Sequence, residues 1–341
     1  MACQFDSDPA HVEEDEPEVQ EIILFSFLTD MDMKIVFLDA ATMGSDVSFA
    51  PIEALGQLVC YPTSTPQEAV ERVADCDVLI INKVSVTSGL IDSAPSLKLI
   101  CEAATGVNNI DMDYAASKGI PVRNVAGYST DSVVQTTFMH ILNLAGKCAY
   151  FDSSVKSGKY SRGGIFTDVT VPYHELSGKK MGIVGMGNIG SRVAKVAEAF
   201  GMEVSYFSTS GTSHCKEYPS IPLQRLMSES DVVSIHAPYN DRTAGLIGKE
   251  ELGWMKSSAI IVNMGRGGIV DESALAEAVD GGRIAGAALD VFSSEPLPED
   301  SPLLAVSHKE RLSLSPHVAW ASVEARERLV AMIADNIAKG W

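Results

Sequence analysis

Short apolar runs and segments of helical period alternate along the chain from residue 34 to about residue 290. KIVFLDA, DVLIIN, LKLICEAA and PVRNVA read as strands. PQEAVERVADC and DMDYAASKG, lying between them, read as helices. Alternation of this type predicts βαβ units and parallel sheets. From Thr130 a long helical pattern runs through SVVQTTFMHILNLAGKCAY, followed by a polar stretch, SSVKSGKYSRGGIF. A second series then begins: KKMGIVGMG, VSYF, DVVSIHA, AIIVNMG and IAGAALDV. SVEARERLVAMIADNIAKG closes the chain as an amphipathic helix. The expectation is an α/β protein of two doubly wound parallel-sheet domains. A length of 341 residues suits two domains of about 150 each.

Composition changes this picture mainly at the N-terminus. Hydrophobic residues make up 46% of the chain and charged residues 21%, as in an ordinary globular enzyme. Net charge is −19, and more than half of it lies in residues 1–32, which hold ten acids and no Lys or Arg. That stretch reads as a disordered, solvating extension, with folded structure starting at MKIVFLDA. An acidic chain is repelled by phosphate backbones, so no nucleic-acid partner is expected. The early apolar run IILFSFL is far shorter than the ~20 residues that cross a bilayer, and no basic segment precedes it. Neither a membrane partner nor a secretory signal is therefore expected. The six cysteines form no CxxC pair or metal-spaced cluster, which argues for a reducing, cytoplasmic setting and no metal.

The sharpest local signal is GIVGMGNIGSRVAKVAEAF, where Gly185, Gly187 and Gly190 stand in GxGxxG spacing. Alone this spacing is weak. Here an apolar strand precedes it and a helix follows, the context of a dinucleotide-binding turn. Gly185 would make the turn, and Gly187 would admit a pyrophosphate close to the backbone. Gly190 would let the strand pack on a helix read over Ser191–Phe200, with Asn188 and Ile189 of the loop beside the cofactor. The free N–H groups and positive dipole of a helix N-terminus suit phosphate. Downstream, Arg266, Asp290 and Glu295 follow strands, on the side where open α/β sheets bind ligands. His317 lies in LSPHVAW. Each of these could be an ordinary surface or loop residue taken singly; together they point to a site.

The segments ATGVNNID (104–111), GIVGMGNIG (182–190), NMGRGGIVDE (263–272), GAALDVFSSEP (286–296) and SPHVAW (315–320) resemble, in this order, the D-isomer-specific 2-hydroxyacid dehydrogenases. The likeness covers roughly 33–340. HVAWAS and NVAGYSTDSV resemble the branch acting on glycerate, hydroxypyruvate and glyoxylate. The resemblance implies a flavodoxin-like substrate domain of residues 33–130 plus 316–341. It also implies a Rossmann NAD(P)-binding domain of residues 131–315, with an active-site cleft between the two. It implies hydride exchange between a nicotinamide and a small 2-oxo or 2-hydroxy acid. His317 would be the general acid/base, oriented by Glu295, and Arg266 would bind the substrate. Backbone N–H groups at Thr105 and Gly106 would hold the carboxylate, although Ala104-Thr105-Gly106 replaces the frequent Gly-Val-Gly. His236, Ala237, Pro238, Thr243 and Met264 would line the cofactor, with Asp290 near the nicotinamide amide. Formate dehydrogenases of the superfamily pair their histidine with glutamine, where this chain has Glu295. A homodimer is implied, with the helix at 130–150 as a candidate contact. A non-catalytic dinucleotide sensor on the same fold is the alternative.

Cofactor choice rests on GMEVSYFSTSGTS, residues 201–213. Ser208 stands 18 residues after Gly190, near where an acid normally binds the ribose 2′-OH of NAD. Ser208 and Thr209 would instead donate hydroxyl bonds to either cofactor. Residues 208–213 hold no arginine, and His214 and Lys216 are the nearby cationic candidates, so NAD or NADP, with dual use, is expected.

Overall fold

The computed structural model describes residues 33–341, so the acidic 1–32 extension lies outside the described residues. The chain divides into two units, residues 33–125 with Val330–Trp341, and Ala126–Leu329. The first unit holds β1 (Lys34–Phe37), β2 (Gln57–Cys60), β3 (Val78–Ile81), β4 (Leu99–Glu102) and β5 (Val122–Arg123). They pair in parallel in the order β2-β1-β3-β4-β5. This is the order of a doubly wound, flavodoxin-like sheet. Every residue of β3 and β4 is buried, as expected when helices cover both faces. Its helices include α1 (Pro66–Arg72) and α2 (Met112–Ser117). Thr65 caps α1 in a capping box with Glu68, two orphan groups satisfied reciprocally.

The second unit opens on α3 (Thr130–Gly146) and α4 (Cys148–Lys156). The long helical pattern of the sequence is broken between them at Lys147, which adopts a left-handed φ of 53°. Six strands follow: β6 (Lys180–Val184), β7 (Glu203–Phe207), β8 (Val232–Ile235), β9 (Ile260–Asn263), β10 (Gly286–Leu289) and β11 (Leu312–Leu314). Their order is β11-β10-β9-β8-β6-β7, all parallel. Beyond β7, Ser220 bridges in parallel to Tyr206, with Tyr206 N–H donating to Pro219 O and Ile221 N–H to Tyr206 O. Counting that bridge as a vestigial strand, the order is 3-2-1-4-5-6-7, the 3-2-1-4-5-6 of a dinucleotide-binding sheet extended at one edge by β11. α5 (Asn188–Ala199) follows β6, and α6 (Glu272–Asp280) links β9 to β10. Val133, Phe138 and Ile141 of α3 pack with Met181, Ile183, Val262 and Ala288 of the sheet.

The last helix, α7 (Val323–Ala338), begins in one unit and ends in the other. Its C-terminal part belongs to the first unit because Arg123 donates to Asn336 O and Asn336 Nδ2 to Asn124 O. Residues 316–329 group with the second unit, where the sequence reading put the whole of 316–341 with the first. The cause is hydrogen bonding: Ser132 Oγ donates to Ala319 O at 2.6 Å and His317 N–H to Asp290 O at 2.8 Å. At the other boundary, 126–130 joins the second unit as the lead into α3. No helix among the described residues is long and apolar enough to cross a membrane.

Candidate active site

In the second unit the carboxyl end of β6 runs into Gly185, whose φ of 93° is left-handed. A Cβ there would stand 3.0 Å from the backbone of His236 and Ala237. At Gly190 a Cβ would fall 2.2 Å from Gly185 O, so only glycine lets α5 seat on the strand. Gly187 is different. A Cβ at that position would meet nothing within 4 Å, and Gly187 caps α5 without a side-chain hydrogen bond. Two glycines are thus fixed by packing, and the middle one borders open space beside uncapped helical N–H groups at Asn188 and Ile189. That cradle fits a dinucleotide pyrophosphate. Gly185 N–H donates to Phe207 O at 3.0 Å, which sets Ser208 and Thr209 beside the turn.

The loop after β8 supplies the opposite wall. His236 pairs through Nε2 with Ser234 Oγ at 2.8 Å, and its buried Nδ1 has no partner among the described residues. Burial pushes its pKa down to about 3, so the ring is neutral. Ala237 is buried. Thr243 is fully buried, and its hydroxyl donates to Pro238 O at 2.6 Å while accepting from Asn240 N–H at 2.9 Å. Thr243 therefore shapes this loop and turns its hydroxyl inward. Met264, also buried, packs in the core below the β9 end.

Arg266 is exposed on the loop after β9. Its backbone is fixed by Asn263, which donates through Nδ2 to Arg266 O and accepts from Gly265 N–H. Nη1 of Arg266 donates to Gly265 O at 2.8 Å. Next to it, a Cβ on Gly267 would overlap Phe292 O at 1.8 Å, so the arginine loop lies flush on the loop that carries Glu295. Glu295 accepts from Phe292 N–H at 2.9 Å through Oε1 and meets His317 Nδ1 at 2.6 Å through Oε2. A carboxylate only accepts, so Nδ1 carries a proton and Nε2 is the ring atom left for substrate. His317 itself is held at φ 54°, one of two non-glycine residues among those described in the left-handed region. Such a conformation persists only where surroundings over-determine it.

Those surroundings centre on Asp290, which is buried. Its Oδ1 accepts from Ser315 Oγ at 2.5 Å and Val318 N–H at 2.9 Å, and Oδ2 from Ala319 N–H at 2.8 Å. The carboxylate that the sequence placed near the nicotinamide amide thus clamps the histidine loop. Ser315 also meets Nε2 of His140, a buried residue of α3 whose Nδ1 meets Ser313 Oγ at 2.7 Å. Burial lowers the His140 pKa, so its ring is neutral. Pattern reading missed His140, Ser313 and Ser315 because His140 and the two serines it meets are more than 170 residues apart, and a buried histidine inside a helix carries no local signal. It also missed Arg242, which donates to Ser210 O across the end of the sheet.

In the first unit, Thr105 and Gly106 follow β4. Thr105 Oγ1 donates to Val125 O at 3.0 Å and Asn124 Nδ2 to Thr105 O at 2.6 Å. The backbone N–H groups of Thr105 and Gly106 make no hydrogen bond among the described residues, as an anion-binding loop requires. Among the described residues no cluster of His, Cys, Asp and Glu could hold a metal.

Residues 138–319 match the family profile described as D-isomer specific 2-hydroxyacid dehydrogenase, NAD binding domain. The chain is 33% identical over 313 residues to a hydroxypyruvate reductase of Blautia hydrogenotrophica, covering 89% of this chain and 96% of that protein. It is 34% identical over 311 residues to a glycerate dehydrogenase of Methylorubrum extorquens, covering 90% and 96%. A solved acyclic imino acid reductase, Bsp5, in complex with NADPH and D-Arg, superposes with a TM-score of 0.79 at 27% identity, covering 90% and 96%.

Proposed function

Since the chain belongs to the D-isomer-specific 2-hydroxyacid dehydrogenases, NAD(P)-dependent oxidoreductases acting on CH–OH groups, we propose that it interconverts a small 2-oxo acid and its D-2-hydroxy acid, with hydroxypyruvate, glyoxylate or glycerate as substrate. The observation that carries this reading is the His317–Glu295 pair at 2.6 Å, held in a strained loop beside the strand ends.

When bound, the nicotinamide would supply the hydride that the carbonyl carbon accepts in the reductive direction. The chain's residues do the rest. His317 gives a proton from Nε2 to the carbonyl oxygen as that oxygen gains charge, and in the oxidative direction removes it. Glu295 holds Nδ1–H, fixes the ring plane and stabilises the imidazolium before transfer. Arg266 offers its planar fork to the substrate's carboxylate and reacting oxygen. The N–H groups of Thr105 and Gly106 hold the carboxylate. Gly185–Gly190, Ser208, Thr209 and His236–Pro238 would hold the cofactor, with Thr243 and Met264 supporting that wall from within. With its oxygens already engaged, Asp290 acts on the cofactor side through the loop it clamps.

The first unit, with residues 33–125 and the end of α7, is assigned the substrate-binding role, and the second unit the cofactor-binding role. Cytoplasmic location is supported by the five cysteines of the described residues, all free. A homodimer is supported by an apolar segment after α4, where Phe166 is 89% and Val169 80% exposed. The sensor alternative is not favoured, since an intact acid/base pair has no use without turnover. Oxidation of NADH and NADPH with glyoxylate, hydroxypyruvate, pyruvate and phenylpyruvate is the test. Turnover of a C2 or C3 2-oxo acid is expected, and no turnover with any of the four overturns the enzyme reading.

A further inference from the structure

Two features meet at the end of β7. The first is the loop Ser208–Thr212, which is closed on itself. Ser208 Oγ donates to Thr212 O at 2.7 Å and lies 3.2 Å from Ser210 Oγ, and Gly211 turns it with a φ of 78°. No carboxylate stands at the strand end, where a ribose 2′-OH would need one. The second is Arg242, carried in by the loop after β8. Asn240 Oδ1 accepts from Arg242 N–H at 2.9 Å, and buried Thr243 pins the next position. The guanidinium donates through Nη1 to Ser210 O, and a Cβ on Gly211 would lie 3.7 Å from that same atom.

Arg242, like Arg123, Arg283 and Arg311, donates to a backbone carbonyl rather than to a carboxylate. Arg72, Arg192 and Arg225 each reach a carboxylate of Glu68, Asp131 and Glu229 respectively. Arg242 forms no ion pair among the described residues. Its one side-chain hydrogen bond among the described residues goes to a neutral carbonyl, which fixes the guanidinium while leaving N–H groups of the fork for another acceptor. A cation is therefore held over hydroxyls, next to the glycine turn, at the strand end that lacks its acid. Gly185 N–H to Phe207 O ties this point to the pyrophosphate cradle.

We propose that Arg242, with the hydroxyl of Thr209 and that of Ser208 once it turns from Thr212 O, forms an anion site for the 2′-phosphate of NADP(H), so that the enzyme prefers NADPH to NADH. The proposal rests on the dinucleotide reading of the glycine turn and sharpens it from dual use to a preference. A phosphate monoester carries nearly two negative charges at neutral pH, matched by the planar fork and by short hydroxyl donors. An acid at position 208 would repel that phosphate. The arginine arrives from a different loop than the one where sequence patterns place it, so the local composition of 208–213 understates the positive charge.

The test uses the full chain and two nucleotides that differ only by the phosphate in question, adenosine 2′,5′-bisphosphate and AMP, titrated calorimetrically. The bisphosphate is expected to bind at least tenfold more tightly than AMP. Arg242→Ala should erase that ratio, and Arg242→Lys should keep part of it. In steady state, the NADPH/NADH ratio of kcat/KM should exceed one for the native chain and fall at least tenfold in Arg242→Ala. Equal affinity of the native chain for the two nucleotides, or an unchanged ratio in Arg242→Ala, overturns the proposal while leaving the dinucleotide site standing. Failure of NADH, NADPH and both nucleotides to bind overturns the dinucleotide reading beneath it.

Discussion

Single residues carry different burdens in the glycine turn. Gly190 is required by packing, because any side chain meets Gly185 O. Gly187 is not, since its backbone is extended and its surroundings are empty. Gly190→Ala should therefore lower Tm and weaken cofactor binding together. Gly187→Ala should leave Tm nearly unchanged while weakening NADPH tenfold or more, read by thermal denaturation and cofactor titration. A second residue-scale expectation concerns Glu102 at the end of β4. It is buried, with Oε1 unpartnered and Oε2 accepting from Asn109 Nδ2 at 3.0 Å. Burial, reinforced by nearby Asp39 and opposed by Asn109 and Lys83, raises its pKa from 4.5 to about 8. The folded state then binds a proton that the unfolded state releases. Stability from this group is full below about pH 4.5 and is lost as pH rises towards 8. Glu102→Gln should gain Tm over the native chain across that window, with a difference that widens with pH; a pH-independent difference contradicts it.

At the scale of elements, the central strands were legible because runs of three or four apolar residues buried on both faces leave a strong pattern, as in VLII, LICE and IIVN. β2, β11 and the Ser220 bridge were not. They sit at or beyond sheet edges, where half-exposed residues dilute the apolar signal. The break at Lys147 escaped because Gly146 beside it reads equally as a helix residue, and the left-handed residue itself is a lysine. The motifs named Arg266, Glu295 and His317, but the clamp that shapes the histidine loop emerges only when β10, α3 and residues 315–319 are folded together. Removing one carboxylate oxygen from Asp290 leaves a buried N–H without its acceptor, at a cost of about 1–3 kcal/mol. Asp290→Asn should therefore lower Tm by several degrees and kcat by more than tenfold. NADPH affinity should change far less, because the glycine turn is untouched. Equal losses in kcat and cofactor affinity would instead tie Asp290 to the nucleotide.

For the molecule as a whole, the surface separates two edges of the second sheet. Glycine turn, Arg266 and Glu295 follow strand ends, whereas a cavity of about 840 Å3 lined by Asp231, Val232, Ile260, Ala285 and Leu312 opens at strand beginnings. Tyr150, Pro172 and Leu144 complete its walls. The site proposed above lies at the other edge. Ile165, Phe166, Val169 and Tyr173 stand exposed in the segment that follows α4. Exposed apolar side chains gathered in one segment are what the homodimer proposed above would cover. Phe166→Asp should shift the protein from dimer to monomer in sedimentation velocity, and a native chain that sediments as a monomer would contradict the dimer.

The account turns on one proton carrier. The most direct measurement is the kcat of His317→Ala with NADPH and the best 2-oxo acid, beside NADPH affinity in the same variant. A fall in kcat of about 10²–10⁴-fold with cofactor affinity unchanged is the predicted result. Turnover within a few-fold of the native chain would contradict it.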